Sequence, residues 1–428
     1  MSDSLESKQT EISSNIAVDF AHDSDSELEK PPDGGLQAWL QVLGVHLTIF
    51  NTWGYVNSFG IFQSYYVETL DVTPSAISWV GTIQIFLLFF LGAFTGRALD
   101  AGYFRPLLLT GSILVVVGVF TTSFATTYWQ LLLSQGVCGG IGSGMIFCPS
   151  LALCSTYFHK KKAWAIGVGV LGSATGGIII PLVVKTLLPK VGFGWTMRAV
   201  GLITLVCLGV ANLVMRPRLK PRKGGSLVEW AAFKEPPYAL FAAGMFMNFW
   251  GLYFAFFYIS AFARTRIGLS EAKAFNMVII MNSAGLPGRL IPNYLADKRM
   301  GPLNLLFPTC FIVGTLILTW TRVDTYTGLI VWASFYGFWA AGIQSLFPAT
   351  LSSLTSDLSK AGTRMGMVFS IVSFASLTGS PIGGVLVQME DGDYWAAQLF
   401  AGLALISGSL LLAASRIAKT GWKWRART

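Results

Sequence analysis

The sequence predicts an all-α membrane protein of twelve transmembrane helices, arranged as two pseudo-symmetric six-helix halves. Three observations predict it. First, the 428 residues are 53% hydrophobic and 12% charged, half the charge density of ordinary soluble domains, and mean hydropathy is +0.59. Second, charge is missing from whole stretches. Between Arg105 and His159 there is no Asp, Glu, Lys, Arg or His, which leaves room for two spans of about 20 residues each. Third, the chain echoes itself at an interval of about 200 residues.

Apolar runs predict helices near 36–64, 75–99, 106–125, 128–155, 163–184 and 194–215. Six more follow near 238–263, 272–295, 303–321, 326–350, 363–389 and 394–415. In lipid only helices and closed barrels satisfy every backbone group. Runs this long are helical, because barrel strands alternate over roughly ten residues. Residues 1–32 hold a cluster of acids and serines and read as a disordered cytoplasmic tail. The first half is 33–215, and a basic, Pro- and Gly-containing linker covers 216–237. The second half is 238–415, and 416–428 form a basic tail.

Basic residues set the orientation. With both termini on one side, 22 of the Lys and Arg residues fall on that side, seven fall on the other, and Arg289 lies inside a span. The positive-inside rule makes both termini cytoplasmic. The net charge of +9 is therefore topological, and no soluble basic domain is left to hold nucleic acid. The five cysteines, Cys138, Cys148, Cys154, Cys207 and Cys310, sit in apolar runs without metal-ligand spacing. The three histidines, His22, His46 and His159, fall in a tail, a span and a loop. No metal or other cofactor is expected.

The repeat is specific. Asn51-Thr52-Trp53-Gly54-Tyr55 in helix 1 is echoed by Asn248-Phe249-Trp250-Gly251-Leu252 in helix 7, and Asp100 by Asp297, both at an offset of 197. Gly142, Phe147 and Pro149 in helix 4 match Gly342, Phe347 and Pro348 in helix 10. The run from Gly172 to Gly177 in helix 5 matches Gly379 to Gly384 in helix 11.

Four polar features need an account. Arg289 is the only formal charge deep in a span, about 12 Å from the helix end at 1.5 Å per residue. A central Arg costs about 2.5–3.5 kcal/mol on insertion scales, and no acid falls within a predicted span to offset it. An organic anion is the natural partner, because a guanidinium grips a carboxylate with two donors. The alternatives are satisfaction by carbonyls beside Pro287 and Pro292, or a side chain that snorkels toward the cytoplasmic end. Second, Asn51, Tyr55, Asn57, Gln84, Asn248, Tyr253, Asn282, Tyr336 and Gln344 place amides and phenols in spans 1, 2, 7, 8 and 10. With Arg289 they suit a larger conjugated or polar organic anion, although each can equally bridge two helices. Third, His46 is the one titratable candidate for a proton site within a span; helix packing is its commoner use. Fourth, the loop after helix 2 runs Gly96-Arg97-Ala98-Leu99-Asp100-Ala101-Gly102-Tyr103-Phe104-Arg105. A carboxylate at such a helix end can cap a neighbouring helix in one conformer only.

A six-helix unit duplicated in parallel resembles the major facilitator superfamily, and the loop from Gly96 to Arg105 looks like its helix 2–3 signature. That resemblance implies gating roles for Gly96, Asp100 and Arg105. Two further stretches are Pro32-Asp33-Gly34-Gly35-Leu36-Gln37-Ala38-Trp39 and the run from Tyr157 to Gly172, which begins Tyr157-Phe158-His159-Lys160-Lys161-Lys162-Ala163-Trp164. Together they resemble the two signatures of the monocarboxylate porter family in its fungal form, and the likeness covers the chain from about residue 31 onward. It implies that Arg289 is the substrate-binding arginine of helix 8. Asn57 and Gly285 stand where characterised members carry the lysine and aspartate of a proton-coupled, lactate-type cycle. Their replacement argues against that cycle here.

The resemblance and the residues together imply a transporter that moves a small organic anion by alternating access, as efflux or facilitated passage. A second transport reading is uptake of a monocarboxylate or riboflavin-like solute with proton symport. A membrane enzyme would need paired acids, a metal set or an activated nucleophile, and none is evident. The expected setting is the plasma membrane, with an internal membrane such as the vacuole as the alternative, and the expected working unit is a monomer in the lipid bilayer.

Overall fold

Backbone polar groups in an apolar medium need partners within their own segment, and this chain meets that demand with helices. The computed structural model describes residues 31–70, 72, 74–219, 228–355, 357 and 360–422. Residues 1–30 of the acidic tail, 220–227 of the linker and 423–428 of the basic tail lie outside the described residues. The helical segments line up with the twelve expected spans. The first half holds α1 (Gly35–Asn57, continued by Phe59–Thr69), α2 (Pro74–Phe90 and Gly92–Asp100) and α3 (Phe104–Thr122). It continues with α4 (Tyr128–Leu131, a π turn Leu132–Cys138, and Gly139–Tyr157), then α5 and α6 within Lys162–Val170 and Gly172–Val214. A 3₁₀ turn, Trp230–Lys234, leads to α7 (Pro236–Thr265), α8 (Glu271–Leu295) and α9 (Pro302–Trp320). The chain ends with α10 (Tyr326–Leu354), α11 (Ala361–Met389) and α12 (Trp395–Thr420). Among the described residues nine segments are long and apolar enough to cross a membrane. One of them, Lys162–Val214, holds both α5 and α6.

Two boundaries differ from the sequence expectation. α1 breaks at Ser58 and resumes as far as Thr69. The gap expected between α5 and α6 is helical on both sides of a single reversal at Gly192, whose φ of 74° a side chain would strain.

The two halves repeat one packing scheme. In the first, α1 lies against α5, α2 against α4, and α3 against α4 and α6. In the second, α7 lies against α11, α8 against α10, and α9 against α10 and α12. Between the halves, α2 meets α11, while α5 meets α8 and α10.

This seam closes on the face that carries both ends of the described chain. At the α2–α11 crossing a Cβ on Gly96 would collide with the Gly362 carbonyl oxygen, and one on Gly366 with the Gly92 carbonyl. Backbones this close exclude any larger residue. Asp100, the last residue of α2, then caps the start of α11. Its carboxylate accepts from the Gly362 amide at 3.0 Å, and from the Thr363 amide and hydroxyl at 2.7 Å each. Asp297, its echo after α8, caps α5 by accepting from the Ala163 amide at 3.0 Å and the Trp164 amide at 2.6 Å. Each aspartate of one half thus satisfies free amides at a helix N-terminus of the other, where the helix dipole favours negative charge. Higher along the seam, Ser370 of α11 fills the break in α2, donating to the Phe90 carbonyl at 2.6 Å and accepting from the Ala93 amide at 3.0 Å. Arg105 takes no part in the cap. It donates to the Asn212 carbonyl of α6 at 2.8 Å.

The linker is fastened to the same end of α11. Glu229 pairs with Lys360 at 2.8 Å and with Arg364 at 3.1 Å, and Arg364 also pairs with Glu235. Burial alone would push the Glu229 carboxyl up, but the two cations hold it below the usual carboxylate range.

Two outcomes follow from the seam. Gly366→Val should force α2 and α11 apart, at a cost of about 1–3 kcal/mol for overpacking. A cysteine reporter at Ser173, in a background without the native cysteines, should then react faster with an impermeant maleimide supplied at the terminus-bearing face. The second outcome concerns pH. Burial pushes the Asp297 carboxyl up to about 6; its bonds to Trp164 and Ala163 and the charge of Lys162 resist the rise, and Asp33 adds to it. An exposed aspartate titrates near ~3.9, so the closed seam binds the extra proton between those values. Closure should gain as pH falls through 6 and lose that increment as pH rises above it. Asp297→Asn should flatten the pH dependence of Ser173→Cys labelling between pH 7 and 5.

Candidate functional site

Crossing helices leave space where their facing side chains do not interlock. Here α1, α2, α4, α5, α7, α10 and α11 border a small, partly open cavity. Its wall is mostly aromatic. Trp53, Phe89 and Phe147 come from the first half, and Phe249, Tyr253, Phe347 and Phe369 from the second. The rings meet across the seam. Trp53 stacks on Tyr253 with centroids 5.7 Å apart and planes 9° apart. Phe147 stacks on Phe369 at 5.3 Å, and Phe89 stands edge-on to Phe249 at 5.6 Å. Two polar residues, Ser173 and Gln344, interrupt the wall.

Arg289 lies directly behind that wall. It is 1% exposed, and its Nη2 donates to the Gln344 Oε1 at 2.7 Å. Its Nη1 donates to the Gly285 carbonyl one turn earlier at 3.2 Å, which accounts for part of its hydrogen-bonding capacity. Its Nε is buried without a partner. The bond from Arg289 fixes the Gln344 amide so that its oxygen faces the cation. The amide nitrogen is left buried and unpaired on a residue that lines the cavity. Orphan donors of this kind cost about 1–3 kcal/mol each. An acceptor that enters the cavity recovers that cost, and a negative one gains the field of the guanidinium as well.

The other sequence candidates divide by position. Tyr253 and Gln344 line the cavity. Asn57 and Asn282 come together at the seam on either side of Gly177, and Asn57 donates to the Ser173 carbonyl at 3.4 Å. The remainder pack inside one half. Asn51 donates to the Leu47 carbonyl and lies by Cys207 of α6. Asn248 donates to the Gly244 carbonyl beside Gly408 of α12. Tyr55 packs on Phe62 with centroids 5.2 Å apart. Tyr336 donates to the Leu252 carbonyl at 2.6 Å and stacks on Trp332. Gln84 is buried between α2 and α4, near Gly139.

His46 joins α1 to α5. Its Nδ1 lies 3.2 Å from the Val168 carbonyl and its Nε2 lies 3.1 Å from the Thr175 hydroxyl. A carbonyl can only accept, so Nδ1 carries a proton, while the single proton of the Thr175 hydroxyl is shared between Nε2 and the Gly172 carbonyl, also 3.1 Å away. Both nitrogens of a neutral imidazole are then occupied by helix packing.

Sequence reasoning missed six of the seven cavity rings, although it held a signal for four of them. Trp53 and Phe249 lie in the helix 1 and helix 7 echo, and Phe147 and Phe347 form a matched pair of the repeat. Phe89 and Phe369 carry no such mark.

Comparison with known proteins agrees with this architecture. The family model described as Major Facilitator Superfamily matches residues 45–356. An "MFS-type transporter" of Gibberella zeae is 46% identical over 399 residues, 93% of this chain and 90% of that one. The "Aspyridones efflux protein apdF" of Emericella nidulans is 35% identical over 389 residues, 90% of this chain and 79% of that one. Among solved structures, a bacterial homologue of the iron transporter ferroportin in its outward-facing state superposes with a TM-score of 0.70 at 13% identity. That match covers 89% of this chain and 99% of the other. With a duplicated six-helix fold, a seam between the halves, a family match over most of its length and relatives that align nearly end to end, this chain belongs to the major facilitator superfamily of membrane transporters.

Proposed function

We propose that this transporter exports an acidic organic metabolite, and that the solute binds in the aromatic cavity in front of Gln344 and Arg289. The observation that carries the reading is the buried guanidinium. Among the described residues it has no carboxylate partner, and the Gln344 nitrogen it orients is buried and unpaired on a residue that lines the cavity. A fixed cation without a counterion gives an anion a reason to enter from water. The name of the Emericella nidulans relative, an efflux protein for aspyridones, supports the outward direction. The excess of basic residues on the terminus-bearing face supports a cytoplasmic position for that face. The seam would then be closed toward the cytoplasm, and its opening would admit the solute.

We place the chain in the monocarboxylate porter branch, and the contact between its two signature stretches supports this. Asp33 of the first accepts from the His159 amide and, at 2.7 Å, from the Lys160 amide of the second. The Asp33 amide donates to the Tyr157 carbonyl, and Trp39 meets Phe158 edge-on at 5.6 Å. The engaged His46 and the absence of acids from the interior of the sequence-predicted spans favour transport without a protein-borne proton relay.

Flux of labelled organic acids through proteoliposomes tests the reading. Arg289→Met keeps the volume and removes the charge, and should slow acid flux ten- to hundredfold, the loss of a charge-assisted bond of about 1.5–3 kcal/mol. Arg289→Lys should be nearly as slow, because a point charge does not hold the Gln344 amide as the planar fork does. His46→Gln should keep most of the flux. Acid flux unchanged in Arg289→Met removes the anion role.

A further inference from the structure

Resting on the anion-transport reading, we infer that the solute is a flat, conjugated organic acid, held by stacking between Trp53 of one half and Tyr253 of the other. A cavity for a small aliphatic acid needs bulk and a charge, but it does not need parallel rings. Here the facing rings lie within 9° of parallel although they belong to different halves. Both line the cavity with Gln344. Parallel faces of this kind receive a planar guest, which gains dispersion and quadrupole contact on both sides.

The spacing says what must move. A guest between two rings needs each face about 3.5 Å away, so the walls must stand about 7 Å apart, whereas the two rings now stack directly on each other. Admitting the guest requires the halves themselves to part, because the walls are built on α1 and α7. In the empty carrier the rings close on each other, and in the loaded carrier the guest takes the place of that contact. Delocalisation would spread the anion's charge over the flat skeleton. Its acidic oxygen could then meet the unpaired Gln344 nitrogen while its rings stay between Trp53 and Tyr253.

Binding of two acids to the purified full-length protein in lipid nanodiscs tests this. The probes are 2-naphthoate and its saturated counterpart decahydronaphthalene-2-carboxylate, alike in charge and carbon skeleton but different in flatness. Wild type should bind the naphthoate at least tenfold more tightly. Trp53→Leu and Tyr253→Leu should each erase most of that preference, read as the ratio of the two affinities. Trp53→Phe, which keeps a ring and guards against a folding defect, should preserve it. Equal affinity for both acids in wild type, or an equal loss of both in Trp53→Leu, overturns the stacking inference and leaves the anion reading standing. Binding of neither acid overturns the anion reading and the stacking inference together.

Discussion

Two carboxylates hold the closed face of this transporter, and both do so by reaching across to the other half. Asp100 caps α11 and Asp297 caps α5. Free amides at a helix N-terminus need acceptors, and in this fold the acceptors sit on the opposite domain. Neither half completes these two helix ends by itself. Closing the face supplies the missing partners, and opening it returns those amides and carboxylates to water. The glycine contacts between α2 and α11 depend on the same approach, because the caps set how deeply the backbones sink together. The linker adds a third fastening at the same point, through Glu229, Glu235, Lys360 and Arg364.

The closed seam also shapes the cavity beyond it. Rings of opposite halves rest on one another because the helices that carry them are drawn together below. Arg289 belongs to the same geometry. By the offset that relates Asp100 to Asp297, Arg289 corresponds to Gly92 in the first half. Gly92 lets α2 lie against α11. At the equivalent crossing Gly167 of α5 lies against the Arg289 backbone, and the side chain turns toward Gln344 of α10. The duplication thus places a bare backbone contact on one side of the seam and a buried cation on the other. That asymmetry gives a pseudo-symmetric carrier a single charged wall.

The helices, the duplication and the buried cation were legible in the sequence, as was the kinship of Asp100 and Asp297. Charge in lipid is costly, so its absence marks spans and its one exception marks Arg289. The candidate site was legible only in part. Asn51 and Asn248 pack inside their halves, while Asn57 and Asn282, as polar and as deep in sequence, stand at the seam. Arg105 reads as the companion of Asp100, and in the fold it binds the end of α6.

The sequence by itself determined that the chain crosses a membrane, that it does so as two related halves, and that one fixed positive charge lies within. Only the tertiary structure decided which side chains share the cavity. In a soluble protein the apolar stripe of a helix shows which side faces the core. Here lipid is as apolar as the interior, so a helix can be hydrophobic all round and its sequence does not reveal which face is turned inward. Each residue turns the helix by about 100°. The packing of α1 on α5 and α7 on α11 therefore decided that Trp53 and Tyr253 would face each other.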